Sequence, residues 1–218
     1  MKKQLLSLAC LLLGAALGVA GCLLVGFLRD MGEQPGDEHT ELPGIHAQPD
    51  GTYSGEALLD AAYDVARCLR SGDYEALAQR IHPEFGLIFS PYSTINLGSN
   101  QCFTPNRVAY AQQDDTIYVW GTRYGTDEPI QLTTEQYFAA YVYDRDYLNA
   151  PMIGLNQVLK SGNALENVSG IFTEGQFVDL CFPGTAPDGT GWSILRMVFE
   201  PYGDDLRLSA LIHSTYTE

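Results

Sequence analysis

Two histidines and four acids are the residues of this chain best suited to chemistry. His82 and His213 can be grouped with Glu84, Asp144, Asp146 and Asp179. An imidazole held by a carboxylate acts as a general base near neutral pH, and two imidazoles with one carboxylate can bind a divalent metal. In catalytic form the set would use His82 or His213 with Asp144 or Asp179. A histidine that precedes a proline after a helix, as His82 does, is more often a hydrogen-bonded structural residue. No GxSxG, HExxH, phosphate loop or dinucleotide fingerprint accompanies the set, which argues against a common hydrolase, kinase or dehydrogenase. The cysteines show no CxxC spacing, and neither a metal nor a cofactor is expected.

Rings and charges offer a binding alternative. Tyr92, Trp120, Arg196 and Glu200 are the candidate ligand contacts, and Tyr110, Tyr124, Tyr141 and Tyr147 are further rings able to stack on sugars or peptides. Trp120 and Tyr137 equally suit a small aromatic core. Alternation along the C-terminal strands puts Arg196 with Glu200, Asp179 with Cys181, and His213 with Arg207, Ser209 and Leu211. A curved sheet would make that mixed face a pocket lining. Otherwise it is a solvent face with cross-strand ion pairs, the usual state of an antiparallel sheet.

The elements that must position these residues are legible as punctuation and period. Ser54 caps a helix over about 55–71, with Leu58, Ala62, Val65 and Leu69 at helical spacing and Gly72 as its stop. Asp73 caps a second helix running to Ile81, and Pro83 closes it. Gly86–Ser90 reads as a strand and residues 92–104 as irregular. Thr104-Pro105 opens a short helix, followed by a strand at Thr116–Trp120. Thr133 and Gln136 form a capping box for a helix to Tyr143. Residues 144–164 are loop-rich. Phe177–Phe182, Ser193–Glu200 and Asp205–Thr215 alternate as strands, with a turn at Pro201–Asp204. Helices first and a strand meander last imply an α+β domain: N-terminal helices on a curved antiparallel sheet.

Residues 1–29 read as a membrane leader, 30–52 as an acidic Pro/Gly linker and 53–218 as one extracytoplasmic domain. Lys2 and Lys3 precede an uncharged run from Leu5 to Leu28, long enough at roughly 20 residues or more to span a bilayer. Val19-Ala20-Gly21-Cys22 also fits a bacterial lipobox, with Cys22 as the lipidated residue. Both readings tether the domain outside the cytoplasm, and plain cleavage near Ala20 is the third reading. Residues 31–218 hold 26 acids against 9 lysines and arginines, which excludes nucleic acid and anionic headgroups as partners of the domain. Beyond the leader, Cys68 falls on an apolar helix face, and Cys102–Cys181 is the pair to test for a disulfide.

The order of elements resembles the cone-shaped fold of the nuclear-transport-factor-like superfamily, in which a curved sheet wraps helices around a pocket. Particular segments resemble a second group, the uncharacterised exported proteins and lipoproteins of Gram-positive bacteria. They are His82-Pro83-Glu84 with Phe89-Ser90-Pro91-Tyr92, Trp120-Gly121-Thr122, Glu128-Pro129-Ile130, Tyr143-Asp144-Arg145-Asp146, Val198-Phe199-Glu200 and Ile212-His213. The chain departs from that group at Thr215-Tyr216, where an aromatic ending in Trp is usual, and in its extra cysteines. The resemblance implies a bacterial envelope protein and transfers no activity. The expected function is binding of a small molecule, cell-wall fragment or envelope protein, without catalysis. An envelope enzyme of hydrolase or lyase type and a structural or assembly protein are the alternatives.

Overall fold

The computed structural model describes residues 53–186 and 190–216. The expected leader, whether a spanning helix or a lipid on Cys22, and the linker lie outside them. Among the described residues no helix is long and apolar enough to cross a membrane.

Helix α1 (Gly55–Ser71) starts where Ser54 accepts a hydrogen bond from the Ala57 N–H, and it ends at Gly72 in the left-handed conformation, φ 67°. Its buried face is the helical repeat of Leu58, Ala62, Val65 and Leu69. Asp73 caps α2 (Tyr74–Ala78) through the Ala76 N–H, a helix shorter than expected. Thr104 caps α3 (Pro105–Ala109), with Pro105 at its first position. The expected capping box is formed: Thr133 and Gln136 exchange side-chain and backbone bonds at the start of α4 (Thr134–Tyr137). A π-helical turn, Phe138–Val142, continues α4. The last helix, α5, is the single turn Val168–Ile171.

Six strands form one sheet in the order β2-β1-β8-β7-β6-β5. They are β1 (Leu87–Ser90), β2 (Gln101–Phe103), β5 (Met152–Leu155), β6 (Gln176–Phe182), β7 (Ser193–Tyr202) and β8 (Asp205–Thr215). β3 (Tyr118–Thr122) and β4 (Pro129–Leu132) form a separate hairpin. The protein is α+β, with helices on a curved mixed sheet. The expected all-antiparallel sheet is corrected at one place: β1 runs parallel to β8, Ile88 beside Ala210 and Ser90 beside Ile212. β2 falls in the stretch expected to be irregular, and β5 in the stretch expected to be loop. Both are short edge strands that lack the alternation of a half-buried strand.

Both faces of the sheet are covered. Leu195, Met197 and Phe199 of β7 join Val178 and Leu180 of β6 in one core with α1. Val198, Ala210, Ile212 and Phe177 face the other way, under Ile95, Val168 and Phe172. The expected solvent face is therefore roofed by loops and α5. One irregularity sets the helix-side pattern. The register shifts beside Val198 and Phe199, which pair with Ala210 and Leu208 and leave Ser209 unmatched. That bulge lets Leu208 and Leu211 both reach the helix-side core, where strict alternation would separate them.

Candidate functional site

The expected mixed face divides into two places. The chain of cross-strand partners Leu180, Leu195, His213 lies on one side of the sheet, and Asp179, Arg196, Ile212 on the other. His213 therefore cannot meet Asp179. His82 is bonded to β8 at Leu208, its N–H donating to that carbonyl at 2.9 Å, about 15 Å along the strand from His213. The two histidines do not converge. His82 is buried, its Nδ1 accepts from the Phe85 N–H at 3.1 Å, and its ring stacks on Phe85 at 4.2 Å. It closes its own turn.

Asp179 and Arg196 form a buried ion pair, 0% and 1% exposed. Arg196 Nε reaches Asp179 Oδ1 at 2.6 Å and Nη2 reaches Oδ2 at 3.0 Å, while Nη1 bonds Glu166. Leu159 N–H donates to Asp179 Oδ2 at 3.1 Å. Burial works against the Arg196 charge, and the carboxylates of Asp179 and Glu166 outweigh it, raising its pKa. With every nitrogen partnered, Arg196 is not a ligand contact as expected. It ties the 159–166 segment to the sheet. Glu200 sits four residues away on β7, half-buried and opposite Arg207. Trp120 is corrected likewise: it is fully buried, stacks on Tyr137 at 3.9 Å, and donates Nε1–H to the Leu132 carbonyl. Cys102 and Cys181 are free, on β2 and β6 with β1, β8 and β7 between them. At about 4.8 Å per strand no disulfide can join them. Cys68 is buried in the core.

The histidine–acid contact that does form is His213 with Asp144. His213 Nε2 lies 3.4 Å from Asp144 Oδ1, close enough for an ion pair but off hydrogen-bond geometry, so the nitrogen is buried without a hydrogen-bond partner. The π turn brings Asp144 there: the Tyr143 N–H bonds back to the Phe138 carbonyl, five residues earlier, at 2.8 Å. Tyr147 hydroxyl donates to Asp144 Oδ1 at 2.8 Å and also touches Ser193 Oγ. Tyr141 sets its ring edge-on to His213 at 5.8 Å. Burial raises the Asp144 pKa, and the neighbouring His213 ring, Tyr147 hydroxyl and Arg145 charge more than reverse it, leaving the carboxyl below its ordinary value. Asp144 is the more open member, its side chain 25% exposed against 7% for His213.

A cleft lies elsewhere. It has a volume of about 310 Å³ and is walled by Pro91–Asn100 on one side and the β3–β4 hairpin tip, Gly121–Thr126, on the other. Ser90 shapes the first wall: its hydroxyl donates to the Tyr92 carbonyl at 2.7 Å. Asn167 pins it, its side chain accepting from Ile95 N–H and donating to Ile95 C=O. On the second wall Gly121 and Gly125 take φ 124° and 71°, which only glycine adopts freely. Tyr92 and Tyr124 meet across the cleft, rings 6.0 Å apart at 62°, and the Tyr124 N–H donates to the Tyr92 hydroxyl at 2.8 Å. Of the four expected ligand contacts, Tyr92 lines this cleft. The sequence signal for the rest was thin, because Thr94, Asn96, Asn100 and Thr126 are ordinary turn residues.

The fold and cleft define a class: an α+β domain with helices on a mixed sheet and a polar, ring-bearing cleft between a loop and a hairpin. No family model and no curated protein matches the chain. A putative calcium/calmodulin dependent protein kinase II association domain from Xanthomonas campestris is similar at 12% identity, over 83% of this chain and 99% of that one, with a TM-score of 0.32. A chain named Rd1NTF2_05, carrying five substitutions, is similar at 11% identity, over 72% and 96%, with a TM-score of 0.28.

Proposed function

We propose that this protein is a membrane-tethered, extracytoplasmic binding domain of the bacterial cell envelope, and that its ligand sits in the cleft that Tyr92 and Tyr124 line. The cleft carries the reading: it encloses about 310 Å³, a volume at the lower end for small-molecule sites, and two rings in edge contact, Tyr92 and Tyr124, form part of its wall. Its lining contains no aspartate, glutamate, histidine or cysteine, which favours recognition over carboxylate, imidazole or thiol chemistry. The leader motivates the address. The cone type of fold belongs to the same reading, supported by α1 packed on one face of a C-terminal meander.

The test is a thermal-shift screen of the full chain against cell-wall fragments, short peptides and metabolites, repeated with Tyr124→Ala. At least one compound should raise Tm in the native chain and lose most of that effect in the variant. Silence throughout, or shifts indifferent to the substitution, would overturn the proposal. The tether is tested by the native N-terminus: an intact Met1 or a lipidated Cys22 supports it, and a free end near Gly21 in the soluble fraction refutes it.

The enzyme alternative keeps one observation in its favour, the 3.4 Å contact of His213 with Asp144. It would place a general base at that end of the sheet. His213→Gln abolishing turnover of a cell-wall substrate would establish it.

A further inference from the structure

We propose that the ligand of the Tyr92–Tyr124 cleft is an acidic sugar: a ring whose hydroxyls meet neutral side chains and whose single carboxylate meets Arg123. The proposal rests on the binding role argued above. In a chain with 27 aspartates and glutamates and a formal net charge of −15, the lining of this cleft has no acid and one cation. Six of its side chains are hydroxyls or amides: Thr94, Asn96, Ser99, Asn100, Thr122 and Thr126.

Hydrogen-bond bookkeeping gives those groups a direction. Asn96 Oδ1 already accepts from Gly98 N–H at 3.0 Å, and Asn100 Oδ1 accepts from Asn96 N–H at 2.6 Å. What each amide retains is its NH2, a pair of donors. Tyr92 Oη accepts from Tyr124 N–H and keeps its proton to give. Arg123 is 59% exposed, and only its Nε lies near an acid, 3.8 Å from Glu128. Its two terminal nitrogens remain for the fork that a carboxylate fits. Thr94 and Thr126 already give their hydroxyl protons to the Leu165 and Arg123 carbonyls, but the amides, the phenol and the guanidinium leave donors in excess, which suits a ligand rich in acceptors.

Two further properties narrow the class. Tyr124, exposed and packed edge-on beside Tyr92, supplies aromatic surface of the kind that stacks on a sugar ring. One guanidinium balances one negative charge, and the acidic surroundings make a dianion such as a phosphate monoester costly to bring in. A monocarboxylated sugar satisfies both.

The experiment is isothermal titration of the full chain with four probes: glucuronic acid and N-acetylmuramic acid against their neutral counterparts, glucose and N-acetylglucosamine. An acidic sugar should bind about tenfold more tightly than its counterpart, as expected of a charge-assisted pair. Arg123→Gln should erase that preference, so that acidic and neutral members bind alike, and Tyr124→Ala should weaken both members while keeping the preference. Circular dichroism checks that each variant is folded. Equal affinity for acidic and neutral sugars overturns the carboxylate assignment and leaves the cleft as a binding site. Failure of all four probes, with another compound's binding still lost in Tyr124→Ala, overturns the sugar class alone. Binding that no cleft substitution changes removes the site altogether.

Discussion

At the residue scale, the charged groups divide into those that hold the molecule together and those left for solvent or ligand. Asp179 and Arg196 are of the first kind. Replacing Asp179 by alanine strands a guanidinium against the 159–166 segment, with Glu166 as its one remaining carboxylate. Such a loss costs about 3–5 kcal/mol, and urea unfolding should read it as a lower midpoint with an unchanged slope. Asp144 adds a pH dependence. Its folded pKa lies below the unfolded value of 3.8, so its contribution is complete above about pH 4 and disappears as pH falls through the folded value. The stability difference between the native chain and Asp144→Asn should therefore shrink on acidification below about pH 4. A difference that stays constant would mean that the Asp144 charge does not act on the fold. Sequence types could nominate these residues but not pair them. Asp144 met His213 through a π turn, and Asp179 met Arg196 through the β6–β7 register. Neither leaves a local trace.

Elements whose signals are local were legible. Ser54, Asp73, Thr104 and Thr133 each stand where a cap was expected, and β8 has the expected bounds. What escaped depends on distant partners. The parallel pairing of β1 with β8 joins residues more than 100 positions apart, and the Ser209 bulge reverses which β8 side chains face the helices. Trp120 reads as a ligand contact because an indole can stack on a sugar or peptide, and its burial against Tyr137 of α4 depends on tertiary packing. Two substitutions test elements directly. Thr133→Ala removes the cap of α4 and should cost about 1 kcal/mol. Gly86→Ala should cost more, roughly 1–3 kcal/mol, for two reasons. Gly86 has φ 75°, and a Cβ there would stand 2.7 Å from the Phe103 carbonyl oxygen, pushing β2 from β1. Chemical denaturation ranks the two, and a Gly86→Ala chain as stable as Thr133→Ala would show that the β1–β2 edge gives way easily.

For the whole molecule the dominant fact is charge. A net −15 on 218 residues strains the compact state by self-repulsion. The ion pairs at the surface offer little relief: Arg67 and Arg80 share the one acid Asp64, and Arg123 stands off Glu128, contacts worth at most about 1 kcal/mol each. Salt acts on the two effects in opposite directions. Raising NaCl from about 10 mM to about 150 mM shortens the screening length from roughly 30 Å to roughly 8 Å. That removes long-range repulsion while weakening the short pairs far less. Tm at neutral pH should therefore rise, by about 2–4 °C for each kcal/mol of repulsion relieved. A flat or falling Tm would mean that the exposed pairs outweigh the net charge. The same field bears on binding, because an anionic ligand must cross it to reach Arg123. Salt that relieves the fold should also quicken association of a carboxylated sugar while trimming the final Arg123 contact, so its on-rate and off-rate should both increase.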